Sequence, residues 1–146
     1  MAALALAGAA VAIYLTLYQW RLTTSVWDPL FGAASSEAVL TSFVSRLLPL
    51  PDATLGALAY VAEALASLLG GEQRWRTHPA LVALGFGGIV GGLAATSLML
   101  VLAQLLLVRA ACTLCLVSAA ISFVNVWLAR CEVLASLRCL VKEDQP

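Results

Sequence analysis

Two cysteines three residues apart, Cys112 and Cys115, stand in the otherwise apolar stretch AACTLCLVSAA. Side chains with this spacing share one face of a helix and can form a small disulfide ring. The partial positive charge of a helix N-terminus stabilises a thiolate, which attacks disulfides or electron-poor carbon atoms. The pair could therefore cycle between dithiol and disulfide. The motif alone also fits two buried cysteines that act only as small apolar side chains.

Other reactive groups in the sequence are few. A zinc site at the pair would need two more ligands, and Cys131 and Cys139 are separated from it by most of an apolar segment. We interpret these two cysteines as unpaired structural thiols. His78 has no cluster of cysteines, histidines or carboxylates around it. The sequence therefore predicts no metal centre.

The composition of the chain favours a membrane protein. Of its 146 residues, 62% are hydrophobic and only 11% are charged. Soluble domains carry about a quarter charged residues, so this chain has too few to cover a globule, and we expect lipid as its solvent. The formal net charge is zero, which argues against a nucleic-acid partner.

Four segments are apolar enough to span a membrane as helices, each of which needs about 20 mostly apolar residues. They run from about Met1 to Gln19, Ala53 to Leu69, Pro79 to Val108 and Ala111 to Ala129. The first could instead be a signal peptide, but it lacks a basic start and its apolar run is longer than usual. We predict an all-α, integral membrane four-helix bundle over residues 1–130 and a short cytoplasmic tail over residues 131–146.

Basic residues predict the orientation of the bundle. Five of them fall on one predicted side of the membrane and three on the other. The five are Arg74, Arg76, Arg130, Arg138 and Lys142, and the three are Arg21, Arg46 and Arg109. Both termini are therefore predicted to be cytoplasmic. The opposite side is then the outside of a bacterial membrane or an organelle lumen, and we favour the bacterial plasma membrane. This orientation places Cys112 and Cys115 at the outer end of span four, on the side where disulfide chemistry operates.

The first loop contains a second predicted helix, in the stretch SSEAVLTSFVSRLLPLPD. Apolar residues recur there at helical spacing. Ser35 or Ser36 can cap the start of this helix, and Pro49 with Pro51 can end it. A short amphipathic helix of this kind lies along the membrane surface. It either covers the space between the spans or serves only as a connector.

Some residues inside the spans carry separate predictions. Asp52 can cap the start of span two. Glu63 stands in mid-span, where a carboxylate is costly, so it either lies near a cavity or is protonated. Small residues one turn apart in GFGGIVGG, residues 85–92, favour close packing of another helix. Glu63 and Gln104 are the only support for a transport pathway.

The order of these features resembles the vitamin K epoxide reductase family, including its bacterial disulfide-forming members. The similar residues are AACTLCLVSAAISFVNVW in span four and LPLPDATLGALAY leading into span two. The resemblance implies a quinone, either ubiquinone or menaquinone, bound beside the cysteine pair. It also implies that Cys115 faces the quinone and that Cys112 exchanges with disulfides. The residues implied to contact the quinone are Asp52, Gly56 and Ala119; vertebrate members carry Asn at the first position and Tyr at the last.

One departure from the family lies in the first loop. Family members usually have a second cysteine pair there, which relays electrons from partner proteins, but residues 21–52 contain no cysteine. A thioredoxin-like partner could instead exchange directly with Cys112. The expected function is quinone-linked thiol–disulfide oxidoreduction at the extracytoplasmic face. The alternative is a catalytically degenerate membrane subunit or ligand-binding protein of the same fold.

Overall fold

The described part of the protein is entirely helical. The computed structural model describes residues 1–42, 51–69 and 81–143, and these contain no strand. The helices are α1 (Ala2–Gln19), α2 (Ala33–Leu40), α3 (Asp52–Leu69), α4 (Leu81–Val108) and α5 (Thr113–Glu143). Helix α4 consists of an α-helical segment, Gly87–Ala103, between wider π-helical turns at Leu81–Phe86 and Gln104–Val108. The predicted all-α fold is confirmed.

Three of the described helices are long and apolar enough to cross a membrane. They are α1, α4 and the Thr113–Cys139 part of α5. Only 22–28% of the residues in these segments are buried inside the protein, so most of their apolar surface faces outward, where lipid can cover it. The chain is therefore an integral membrane protein.

The four long helices form a closed ring. Helix α1 packs against α3, α3 against α4, α4 against α5, and α5 against α1. Much of the core between α1 and α3 consists of small side chains, including Ala9, Ala12 and Ala57. Small residues of this kind allow helices to approach closely in lipid, where packing rather than the hydrophobic effect holds helices together.

A close approach between α1 and α3 occurs at Gly8. A Cβ atom at this position would lie 2.5 Å from Cε1 of the Tyr60 ring. Tyr60 is only 1% exposed, and its hydroxyl group is hydrogen-bonded to Ser118 and Ser122 of α5. The ring therefore has little room to move aside.

We expect Gly8→Ala to destabilise the bundle by about 1–3 kcal/mol, the usual cost of overpacking a core. The measurement is thermal unfolding in lipid nanodiscs. Gly91→Ala is the matched control, because a Cβ atom there would have no neighbour within 4 Å. Equal melting temperatures for the two variants would show that the contact between Gly8 and Tyr60 does not constrain the bundle.

The glycines of α4 only partly follow their predicted role in helix packing. A Cβ atom at Gly87 would lie 3.1 Å from Val133 of α5, so this glycine does allow a close approach. Among the described residues, no atom would lie within 4 Å of a Cβ atom at Gly88, Gly91 or Gly92. The packing prediction is wrong for these three, because Gly88 and Gly92 line a cavity and Gly91 lies on the exposed surface.

The helix of the first loop, α2, begins earlier than the sequence predicts. It starts after Gly32, which has a φ of 80°, and no side chain caps its N-terminus. Ser35 and Ser36 lie inside the helix, and their hydroxyl groups bond to other segments. The capping prediction is therefore wrong. The rest of the predicted loop helix, residues 43–50, lies outside the described residues.

Helix α5 extends past the predicted end of span four. Its 31 residues contain no glycine or proline, so nothing local interrupts it at Ala129. At 1.5 Å per residue the helix is about 46 Å long, whereas the hydrocarbon core of a bilayer is about 30 Å thick. Arg130 lies 3.4 Å from the centre of the Trp127 ring, and this cation–π contact places its charge along the helix. The predicted boundary after residue 130 therefore falls within a continuous helix.

Candidate redox site

The two cysteines of the C-x-x-C motif lie side by side at the start of α5. Their Sγ atoms are 2.8 Å apart, and both cysteines are free thiols. Cys112 directly precedes the helix, and its carbonyl oxygen accepts the Leu116 N–H group at 3.0 Å. The Cys115 thiol and, at 3.3 Å, the Cys115 N–H group both donate to the Cys112 sulfur. These donors and the helix N-terminus favour a thiolate at Cys112.

The two sulfurs have different surroundings. Cys112 is fully buried, at 0% exposure, and packs in a cluster with Leu15, Val26 and Val39. Two of these neighbours belong to the first loop and its helix α2, so the loop covers this cysteine. Cys115 is half-buried and lies on the wall of a cavity instead.

Asp28 links the first loop to the start of α5. Its carboxylate accepts the backbone N–H group of Thr113 at 2.8 Å, together with the hydroxyl groups of Thr113 and Ser36. It also accepts the N–H groups of Leu30 and Phe31 within the loop. The loop is thereby fixed over Cys112. No sequence motif pointed to Asp28, whose partner Thr113 is 85 residues away.

A second link joins the loop to the residues before α5. The Ser35 hydroxyl group donates to the Ala111 carbonyl oxygen at 2.7 Å and accepts the Ala111 N–H group at 3.1 Å. We call the side-chain contacts made by Asp28 and Ser35 the loop latch. The latch joins α2 and the residues before it to both sides of Cys112.

The carboxyl group of Asp28 is ionised at neutral pH. Partial burial raises its pKa, but hydrogen bonds from Ser36 and Thr113 outweigh this effect and hold the pKa well below its ordinary value. The negative charge lies at the N-terminus of α5, where it complements the helix dipole. The resulting stabilisation is complete above the ordinary carboxyl pKa of about 3.9 and is lost as the pH falls below it toward the folded-state pKa.

A cavity of about 610 Å³ lies between α1, α3 and α4 on the inner side of α2. Most of its wall is apolar, and Cys115 and Ser118 of α5 complete it. Gln104 also lines the cavity, and its Oε1 atom accepts the Cys112 N–H group at 3.5 Å. Apolar cavities of this size, with a few polar groups, are typical of small-molecule sites.

Asp52 occupies the end of the cavity where α3 begins. A capping residue would directly precede α3, but Asp52 is the first residue of the helix. Its Oδ1 atom accepts the Ala53 N–H group at 2.9 Å and the Gln19 side-chain amide at 2.6 Å. Asp52 therefore joins the end of α1 to the start of α3, and its carboxylate still binds an N–H group of the first helical turn.

Comparison with known proteins identifies the family. The model of the vitamin K epoxide reductase family matches residues 1–130, which include the loop latch, the cavity and the C-x-x-C pair. This chain belongs to that family. Neither the comparison with curated proteins nor the comparison with solved structures found a match. Membership of the vitamin K epoxide reductase family points to quinone-linked disulfide chemistry.

The structure brings together three of the five residues predicted for the site of this family member. Cys115, Asp52 and Gly56 all line the cavity. Cys112 lies next to Cys115 but under the first loop. Ala119 is buried at 4% exposure and does not line the cavity, so its contact with a quinone stays a prediction.

Two residues that the sequence analysis missed also reach the site. The Tyr60 hydroxyl group donates to the Ser118 carbonyl oxygen at 2.6 Å, and both residues line the cavity. A tyrosine within an otherwise aliphatic helix was the available signal, because a buried phenol needs a hydrogen-bond partner. The apolar wall and these few polar groups fit the ring of a quinone and its two carbonyl oxygens.

Proposed function

We propose that this protein is a quinone-linked thiol–disulfide oxidoreductase of the membrane, in which Cys112 and Cys115 pass two electrons from a protein dithiol to a quinone. The placement of the pair carries the proposal. Cys115 lies on the wall of an apolar cavity, whereas Cys112 lies beneath the first loop. Each sulfur thus faces a different reactant.

Reduction of the pair begins from the Cys112–Cys115 disulfide. A thiolate of the partner attacks the Cys112 sulfur, which forms a mixed disulfide and releases the Cys115 thiolate. The second thiol of the partner then displaces Cys112, leaving a disulfide in the partner. Two electrons enter the pair in this exchange.

Oxidation of the pair takes place at the cavity. A bound quinone supplies an acceptor of two electrons and two protons. Cys115 faces this acceptor, and Cys112, whose sulfur is 2.8 Å away, closes the disulfide as the electrons leave. Asp52, Gly56 and the Tyr60 hydroxyl group would hold the head group, while the apolar wall excludes water. Ubiquinone and menaquinone both suit this wall.

The partner in this proposal is a thioredoxin-like protein on the extracytoplasmic side. Residues 21–52 contain no cysteine to relay electrons, so the partner exchanges directly with Cys112. Because Cys112 is fully buried, the first loop must move to admit it. The orientation that suits this exchange has both termini in the cytoplasm, with the bacterial plasma membrane as the location.

The same burial of Cys112 favours a second candidate function. If the loop never opens, no protein dithiol can reach the pair. The protein would then be a catalytically inactive family member that binds a lipid-soluble ligand in the cavity.

Thiol trapping distinguishes the two candidates. The protein is reduced in lipid nanodiscs, mixed with ubiquinone or menaquinone, quenched in acid and alkylated, and its alkylated cysteines are then counted by mass. We expect Cys112 and Cys115 to form a disulfide only when quinone is present, and Cys131 and Cys139 to be alkylated with or without quinone. Free thiols at the pair, in an assay that oxidises an active family member, would overturn the proposed enzyme.

Filling the cavity tests where the quinone binds. We expect Gly88→Leu to slow oxidation of the pair about tenfold or more at low quinone concentration, which corresponds to about 1.4 kcal/mol of lost binding. A side chain at Gly88 would enter open space in the cavity. Gly91→Leu is the control, because it adds the same side chain outside the cavity. If the two variants have equal rates, the quinone binds elsewhere.

A further inference from the structure

Hydroxyl groups form a hydrogen-bonded cluster beside the cavity. The Tyr60 hydroxyl group lies 3.1 Å from Ser118 Oγ and 2.6 Å from Ser122 Oγ, and Ser122 Oγ lies 3.2 Å from Ser97 Oγ. Tyr60, Ser97 and Ser118 line the cavity, whereas Ser122 is 1% exposed inside the bundle. Hydroxyl groups can donate and accept, so the cluster connects the cavity to the interior. We call these four residues the hydroxyl cluster.

Two fully buried polar residues lie next along the same helices. Glu63 follows Tyr60 by three residues on α3, and Asn125 follows Ser122 by three residues on α5; both are 0% exposed. The Asn125 amide approaches the Glu63 carboxyl group without completing a hydrogen bond. Among the described residues, neither oxygen of Glu63 and neither polar atom of Asn125 has a hydrogen-bond partner.

A structural role does not explain a carboxyl group in this place. An ionised carboxylate is costly at a fully buried position between apolar helices, and unsatisfied polar atoms add to that cost. Within the described residues, no cation forms a salt bridge with Glu63, and the positive charge of the Met1 amino group acts on it only from beyond salt-bridge distance. The neutral acid is the form that these surroundings tolerate. A buried acid beside a chain of hydroxyl groups can store a proton and release it.

We propose that Glu63, assisted by Asn125, is a buried proton donor for the quinone cavity, and that its proton reaches the cavity by way of the hydroxyl cluster, which begins one helical turn away at Tyr60. This inference rests on the proposed function and adds a catalytic group to it. Intramembrane carboxyl groups near a hydrogen-bonded chain commonly serve as proton relays. The geometry here directs such a relay toward the cavity wall that also holds Cys115.

The proton and electron balance gives Glu63 a defined task. Oxidation of the pair as Cys112 thiolate and Cys115 thiol releases two electrons and one proton, but forming a quinol takes up two electrons and two protons. The Glu63 acid supplies the second proton and becomes a carboxylate; the Tyr60 hydroxyl group passes the proton on by turning from the Ser118 carbonyl oxygen toward the cavity. When the partner dithiol next reduces the pair, the proton released by Cys112 ionisation restores the acid through water. The sum is transfer of two electrons and two protons from the partner to the quinone.

The first test needs no quinone. In the infrared spectrum of the reduced protein in nanodiscs, we expect the carbonyl band of a buried, protonated carboxylic acid. This band should shift in D₂O and be absent from Glu63→Gln, which keeps the shape of the side chain but cannot act as an acid. If the wild-type and Glu63→Gln spectra are the same in this region, Glu63 is not a stored acid and the proposal is wrong.

The second test is single-turnover oxidation of the pair by saturating ubiquinone, measured by rapid quench and alkylation. We expect Glu63→Gln to slow this step ~100-fold, in the range for loss of a general acid, and Tyr60→Phe to slow it less. Ser67→Ala is the control, because it removes a buried hydroxyl group outside the cluster. A wild-type rate in Glu63→Gln overturns the relay alone, whereas a wild-type protein that quinone cannot oxidise overturns the proposed function as well.

Melting temperatures make sure that a slow variant is still folded. We expect Glu63→Gln to melt at or above the wild-type temperature, because the carboxyl group makes no completed hydrogen bond that the amide would lose. A large drop in melting temperature together with a slow rate would assign Glu63 a structural role and overturn the relay.

Discussion

In Cys115→Ser, the rate at which quinone oxidises the protein should fall about 1000-fold or more, the loss expected when a covalent nucleophile is removed. Cys115 carries the sulfur that lines the cavity. This sulfur lies 2.8 Å from Cys112 Sγ, and neither Cys131 nor Cys139 can replace it in a disulfide with Cys112. Cys112→Ser should be equally inactive with quinone, because Cys115 then has no partner. The measurement is the rate of quinol formation with a reduced thioredoxin as donor.

The two variants should differ in their reaction with the protein partner. In Cys115→Ser, Cys112 can attack the single cysteine of a thioredoxin variant that lacks its second cysteine and carries a small aromatic thiol as a mixed disulfide; the aromatic thiolate leaves, no neighbouring thiol resolves the product, and the protein–protein mixed disulfide accumulates. Cys112→Ser should trap little. Cys131→Ser and Cys139→Ser are matched controls from the same chain and should keep full activity. Trapping by Cys112→Ser instead would reverse the roles of the two cysteines.

Asp28→Ala should raise the rate at which a maleimide alkylates Cys112 by about tenfold or more. The substitution removes the acceptor of three hydrogen bonds, which the Thr113 N–H group and the hydroxyl groups of Thr113 and Ser36 donate to the carboxylate. Hydrogen bonds to a charged group contribute ~1.5–3 kcal/mol each, and ~1.4 kcal/mol changes an equilibrium tenfold. Loss of even one bond should therefore increase the open fraction of the loop by this factor.

The measurement needs a background in which Cys112 is the remaining thiol, with the other three cysteines changed to serine. Thr41→Val is the control in this background, because its hydroxyl group donates to the Glu37 carbonyl oxygen within the turn that ends α2 and makes no bond to α5 among the described residues. Ser35→Ala should have a smaller effect, since it removes an uncharged link. An unchanged rate in Asp28→Ala would mean that the loop latch does not control access to Cys112.

The loop latch also gives a physical reason for a family member to function without cysteines in the first loop. A covered Cys112 is protected from stray thiols and oxidants, and a partner that displaces the loop gains direct access to the sulfur. In this arrangement the loop serves as a cover rather than as an electron relay. Partner selection would then depend on the ability to displace Asp28 from the start of α5.

Local sequence determined the membrane helices and the geometry of the cysteine pair. Apolar length predicted α1, α4 and α5, because a helix satisfies its own backbone hydrogen bonds and needs no partner to do so. Spacing alone placed Cys112 and Cys115 on one face at the start of α5. The absence of glycine and proline from residues 113–143 allowed α5 to continue past Ala129, where span four was predicted to end.

Only the tertiary structure decided which faces meet and where they leave space. The same small side chain allows helix contact at Gly87 and lines a cavity at Gly88, because the outcome depends on how far the neighbouring helix stands away. Asp28 gained its role from a segment 85 residues later, and Gly8 gained its role from the ring of Tyr60. Such pairings join residues that are distant along the chain, and the periodicity of a single sequence reports only on near neighbours. The sequence by itself therefore predicted a redox-capable pair and singled out Glu63, whereas the fold supplied the cover over Cys112, the cavity beside Cys115 and the full burial of Glu63.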